Sequence, residues 1–220
     1  PVIYAGEGVV YAGASAELTA FAELVNAPVI TTVKAKGVFP EDHPLFVGVR
    51  GDQVNHYLGK CDLLFAVGSS LSPGRFSHGI PNAVNKTIVH CTIDELHINK
   101  TYPTAQAVIG DAKFALEALS AEVSSKTSGN GRPAGNVVSE VKAERDSAMT
   151  KYREAMASTD KPINPYKVYA GLMEALDPFK SFVTHESGNT RDQLSTVYDT
   201  LVPRGFLGWG NVSSLGFSFA

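Results

Sequence analysis

The chain of 220 residues has no excess of basic side chains: 19 Lys and Arg against 22 Asp and Glu leave a formal net charge of -3. That argues against binding driven by a phosphate backbone, so nucleic acid is not an expected partner. No run approaches the ~20 apolar residues of a membrane-spanning helix, so no membrane is expected either. Cysteine is scarce. Cys61 and Cys91 sit in apolar surroundings with no second Cys or close His at metal spacing, which reads as reduced core thiols in a reducing compartment such as the cytoplasm. The six histidines, His43, His56, His78, His90, His97 and His185, include no i, i+4 pair with a suitable third ligand, and no metal site built from this chain alone is expected. There is no G-x-S-x-G elbow, and no general base is paired to a serine by spacing. An initiator Met and a signal-peptide pattern are missing as well: the chain opens on PVIY, already strand-like, and closes on SSLGFSFA with no helix stop signal. A fragment of a longer protein is the expectation.

What is present is globular, with 44% hydrophobic and 19% charged residues. Over the first 120 residues short β-branched runs alternate with helical periodicity. Strands are expected at 2–4, 28–33, 62–67, 87–91 and 107–109. One helix is expected over 15–25, with Leu18, Phe21, Ala22 and Val25 on one face and Ser15 as N-cap. Another runs over 111–123, with Phe114, Leu116 and Leu119 facing inward. This alternation predicts an α/β fold, a parallel sheet with helices on both faces. Residues 124–136, SSKTSGNGRPAGN, have the composition of a flexible linker and mark a domain boundary after residue 123. Beyond it, 137–158 reads as a charged amphipathic helix. INPYKVYAGLMEAL reads as another, with Asn164 as N-cap and Pro165 at the first helical position. The strand-like residues 181–184 then lead into the polar run HESGNTRDQ. Helix, strand and polar loop begin a second α/β domain over 137–220 that is incomplete.

Several stretches suit a ligand and also suit plain structure. Gly6-Glu7-Gly8 follows a strand, where glycine permits close approach of a ligand or simply a tight turn; Tyr11 stands where a dinucleotide fingerprint needs its third glycine. Gly68, Ser69 and Ser70 end the strongest strand, where open α/β sheets place ligands. They form a candidate nucleotide site or a serine-capped helix start. Asp94 either accepts ribose hydroxyls or caps the segment after it. Asp111, after Gly110, suits a helix N-cap better than a magnesium ligand.

In order, PVIYAGEGVV, VGVRGDQVNHYLGKCDLLFAVGSSL and IVHCTIDELHINKTYPTAQAVIGDAKFAL resemble the central, Rossmann-like domain of thiamine diphosphate-dependent enzymes of the acetolactate synthase group. INPYKVYAGLMEALDPFKSFVTHESGNTRDQ and PRGFLGWGNVSSLGFSFA resemble the start of that family's C-terminal, diphosphate-binding domain. The resemblance implies a 2-oxo acid decarboxylase or carboligase, as a homodimer or homotetramer, that uses thiamine diphosphate and Mg2+, the magnesium ligands lying beyond Ala220. It also implies that Gly188 and Asn189 meet the diphosphate. Ser213 and Ser214 would pass beneath the cofactor, and Leu215 would be the apolar wedge that bends it. By position, His185 and Glu186 are candidates for proton transfer or substrate contact, and Arg191 for pairing with a carboxylate. Flavin-binding relatives carry an arginine where Ser69 and Ser70 stand, and Arg75 comes late, so FAD is not expected. The alternative is a non-catalytic nucleotide-binding or regulatory module of the same fold.

Overall fold

A computed structural model describes residues 1–72, 78–208 and 215–216. Its main feature is a six-stranded parallel sheet in the order β3-β2-β1-β4-β5-β6. The strands are β1 Val2–Ala5, β2 Val29–Thr31, β3 Phe46–Gly48, β4 Leu63–Val67, β5 Thr87–Thr92 and β6 Gln106–Ile109. Five of them fall where the sequence places strands, and β3 is additional. Alternate residues feed opposite cores, as the two-residue period of a strand requires. On one face Ile3, Ala5, Val29, Phe65 and Val67 pack under α1 Glu7–Tyr11, α2 Ser15–Val25 and α4 Ala112–Lys126, through Val9, Leu18, Phe21 and Leu116. On the other, Val2, Tyr4, Ile30, Leu64 and Ile88 meet Val54, Tyr57 and Leu58 of α3 Asp52–Lys60. Each fully buried Leu or Ile adds roughly 1.5–3 kcal/mol relative to exposure.

Two local expectations are corrected. Ser15 is the first residue of α2 rather than its cap; Ala14 occupies the cap, and the Ser15 hydroxyl donates to the Val38 carbonyl at 2.5 Å. Phe114 is 70% exposed, because it projects from a side of α4 that no other described element covers, while Leu116 is buried. The caps Asp111 and Asn164 are as expected, accepting from Lys113 N at 2.8 Å and from Tyr166 N at 3.0 Å. Both cysteines are buried free thiols, and burial pushes Cys91 up to about 11. At neutral pH it is a protonated, inert core group.

Residues 127–136 lie against the end of α2. Arg132 N donates to the Leu24 carbonyl at 2.9 Å, and the Arg132 guanidinium to the Asn26 carbonyl at 2.9 Å. Then α5, Val137–Met156, returns across the sheet and buries Val141 beside α3. Its later turns supply Met149, Tyr152 and Met156 to a third cluster, formed with α6 Pro165–Ala175, β7 Val183–Thr184, α7 Asn189–Val197 and β8 Phe206–Leu207. The buried members there are Tyr169, Val183, Leu194, Val197, Tyr198 and Phe206. The strands β7 and β8 pair in parallel, Val183 with Phe206 and Thr184 with Leu207. No described helix is long and apolar enough to cross a membrane.

Candidate functional site

From β1 the chain builds β2 and β3 on one side of the sheet, then returns to place β4 on the other. Loops leaving adjacent strands in opposite directions open a crevice at the carboxyl ends. A cavity of about 650 Å³ lies there, lined by Gly6 to Gly8 after β1, Gly68 to Ser72 after β4, Thr92 and Ile93 after β5, and Gly110 to Ala112 after β6.

The glycines at this crossing hold backbone against backbone. Gly8 N donates to the Gly68 carbonyl at 2.8 Å, and Gly6 N to the Val67 carbonyl at 2.9 Å. A Cβ on Gly8 would come within 2.7 Å of Gly68 Cα, and one on Gly68 within 2.6 Å of Val9 N, with Gly68 at φ +62°. The Gly6 and Gly8 amides at the start of α1 are therefore occupied, by the carbonyls of Val67 at the end of β4 and of Gly68 just after it. A dinucleotide pyrophosphate would need those donors free. Next to them, Ser69 Oγ accepts from Leu71 N at 3.2 Å, and buried His90 donates from Nε2 to the Ser69 carbonyl at 2.7 Å. The Ser69 hydroxyl thus serves a turn that carries Leu71 at φ +49°. Burial pushes His90 below the ordinary imidazole range, consistent with a neutral ring. Of the nucleotide candidates, Gly68, Ser69 and Ser70 line the cavity. Asp94 caps Leu96 N at 3.0 Å and faces His97 Nε2 at 3.4 Å.

The region beyond α5 also reaches the cavity. Arg191, in the first turn of α7, is 1% exposed and lines it. Asp192 beside it accepts from Arg191 Nε at 3.0 Å and from Arg50, at the end of β3, at 2.7 Å. The polar run read as a loop is thus a nine-residue helix whose arginine points inward. Gly188 caps α7 at φ +91°, a conformation that favours glycine, and Asn189 is the first helical residue. The first-turn amides of a helix lack intrahelical acceptors, so this end suits an anion.

His185, buried just before it, stacks on Phe206 with ring centroids 4.9 Å apart. Its Nδ1 donates to the Glu186 carbonyl at 3.0 Å, and burial lowers its pKa. Nε2 is then an acceptor, with no partner among the described residues. Any side chain at Gly208 would collide with this ring. Glu186 Oε2 accepts from Gly216 N at 2.9 Å, while Leu215 is 83% exposed. Ser213, Ser214 and Arg75 lie outside the described residues. No described cluster of three His, Cys, Asp or Glu could hold a metal.

Sequence reasoning passed over the buried pair Lys36 and Glu41 in the loop between β2 and β3. Its only trace is a pair of opposite charges inside the glycine- and proline-bearing run VKAKGVFPED.

The model of the thiamine pyrophosphate enzyme central domain matches residues 1–119. The probable acetolactate synthase large subunit of Methanocaldococcus jannaschii is 34% identical over 237 residues, covering 100% of this chain and 37% of that protein. Glyoxylate carboligase of Escherichia coli O157:H7 is 29% identical, covering 99% of this chain and 37% of its own length. The chain thus spans little more than a third of these relatives. An X-ray structure described as a thiamin diphosphate-dependent enzyme from Mycobacterium smegmatis superposes with a TM-score of 0.72 at 23% identity, over 99% of this chain and 40% of that one. At that identity it shows the shared fold.

Proposed function

Because the chain belongs to the thiamine pyrophosphate enzyme family through its central domain, residues 1–119, we propose that it is part of a thiamine diphosphate-dependent 2-oxo acid decarboxylase or carboligase of the acetolactate synthase type. The observation that carries this reading is the start of α7. There Gly188 at φ +91° caps a helix whose first-turn amides lack intrahelical acceptors, beside a buried imidazole whose Nε2 has no partner among the described residues. These residues fit one end of the cofactor: Gly188 and Asn189 would hold the diphosphate, and the helix end favours its charge. On the resemblance, the magnesium ligands lie beyond Ala220. Bound thiamine diphosphate supplies the carbon nucleophile and electron sink for 2-oxo acid chemistry.

The chain's own contribution is to bind and orient. His185, held neutral by burial, offers Nε2 as a fixed hydrogen-bond acceptor, and Arg191 brings a cation to the side of the crevice. We assign Ser213, Ser214 and Leu215 to the segment beneath the cofactor on the resemblance alone. The domains in this reading are 1–123, a linker over 124–136, and 137–220. The parent is a cytoplasmic homodimer or homotetramer, and the 220-residue chain by itself does not turn over. Calorimetric titration of the full-length parent with thiamine diphosphate and Mg2+ tests it. Gly188→Val is expected to weaken binding at least tenfold, and an unchanged affinity would remove the diphosphate from this loop.

The cavity at the sheet crossing favours a second reading, a nucleotide-binding or regulatory module in which Gly68, Ser69 and Ser70 meet the ligand. Occupation of the Gly6 and Gly8 amides by the Val67 and Gly68 carbonyls argues against a dinucleotide bound in the usual way, and FAD is not part of the favoured reading. A colourless full-length protein that turns over pyruvate supports the first reading. One that binds ADP without turnover supports the second.

A further inference from the structure

Two charged side chains in the loop after β2 are buried more deeply than much of the core. Lys36 is 2% and Glu41 1% exposed. Removing charges from water is costly unless they are paired and hydrogen-bonded. Lys36 Nζ bonds Glu41 Oε2, and the same oxygen accepts the amide of Thr200, 159 residues along the chain, at 2.9 Å. Glu41 Oε1 has no partner among the described residues. Lys36 Nζ also lies 5.4 Å from the centre of the Phe206 ring. Gly37, at φ +80°, lets the loop close on Val202, whose carbonyl any Cβ would strike. Residues 33–41 and 198–206 therefore meet along a seam with a half-served carboxylate at its centre.

We propose that Glu41 is a proton-operated catch on this seam: uptake of one proton tightens the packing of 198–206 against 33–41, and release loosens it. Protonation removes charge from an oxygen that no described donor serves. The charged groups around it are Lys36, which bonds it, Asp199 and Asp42 on the acidic side, and Arg145, which reaches Asp199 at 3.8 Å. Burial outweighs Lys36 and the Thr200 amide and raises Glu41 from 4.5 to about 7.

The direction follows from linkage. Below about 4.5 Glu41 is protonated whether the seam is closed or open, and closure carries no penalty from it. Between 4.5 and 7 the open form gives up its proton and is hydrated, so closure weakens as pH rises, and above 7 the loss is complete. Asp199 is raised as well and acts in the same sense, but its side chain is 61% exposed and solvent screening leaves it a small contributor. Because Phe206 stacks on His185, release of the seam would free the strand that backs the α7 loop.

Hydrogen exchange on the 220-residue chain, corrected for the intrinsic pH dependence of the amides, tests this without any cofactor and so independently of the proposed function. The segment 198–206 is expected to lose protection tenfold or more between pH 5 and pH 8, while β4 stays protected. Glu41→Gln is expected to flatten the profile at high protection. Lys36→Met is expected to move the midpoint upward, and Asp199→Asn to keep the transition. A flat wild-type profile overturns the proposal, as does abolition of the transition by Asp199→Asn or parallel loss of protection in β4. If neither Glu41→Gln nor Lys36→Met folds, the wild-type midpoint decides alone: between 4.5 and 7 it supports the catch, and outside that window it does not.

Discussion

The six-stranded sheet and the region beyond residue 160 bury similar side chains by different means. In the sheet, strands of three to six residues have hydrogen-bonded neighbours and a helix layer on either face, and its two cores are filled by local repetition of one pattern. Beyond residue 160 the described residues form a sheet of two strands of two residues each, and Phe179 and Phe182 are each 66% exposed. Such a pair is not stable alone in water. Its order is imported, from Met149, Tyr152 and Met156 of α5 and from the seam at Lys36 and Glu41. Stability is thus expected to be uneven along the chain, with the second region opening at lower free energy than the first.

The sharpest test of that contrast is Leu64→Ala, at a fully buried site in the middle of the sheet. It is expected to cost about 4 kcal/mol in urea unfolding of the whole chain. Phe206→Ala is expected to cost about 3 kcal/mol. That loss should appear as faster hydrogen exchange over 183–207 with the main urea midpoint nearly unmoved. If the midpoint shifts as far as it does for Leu64→Ala, the two regions are one cooperative unit and the comparison fails. The caps give the smallest effect. Asp111→Ala and Asn164→Ala should each cost about 1 kcal/mol. The first should be visible in the main transition and the second only in exchange at the start of α6.

The same contrast explains what was legible in the sequence. Strands β1, β4 and β5 and helices α2, α4 and α6 announce themselves because repeated burial imposes a period on the residues. β3 is three residues, Phe-Val-Gly, inside a loop and too short to show one. α1 carries Gly8 because the chain crosses β4 there, so close packing overrode helix propensity and the segment read as a turn. α7 read as a polar loop since one of its buried residues is an arginine, paired with Asp192, which also accepts from Arg50, 142 residues away. Phe114 shows the converse error, an apolar residue at core spacing on a helix face that the described structure leaves open. Gly188 and Asn189 enter the candidate site on the resemblance alone, with no local sequence pattern of their own. The meeting of Arg191 with the crevice depends on packing between distant segments, which leaves no local pattern.

α5 has a consequence in mechanical terms. At 1.5 Å rise per residue its 20 residues are a rod of about 30 Å, seated at one end by Val141 under the sheet and at the other by Tyr152 and Met156 in the third cluster. A rod fixed in two sockets transmits displacement rather than absorbing it. A shift of β7 and β8 that leaves both sockets intact is therefore expected to reach α3 and the edge strand β3, which α5 touches.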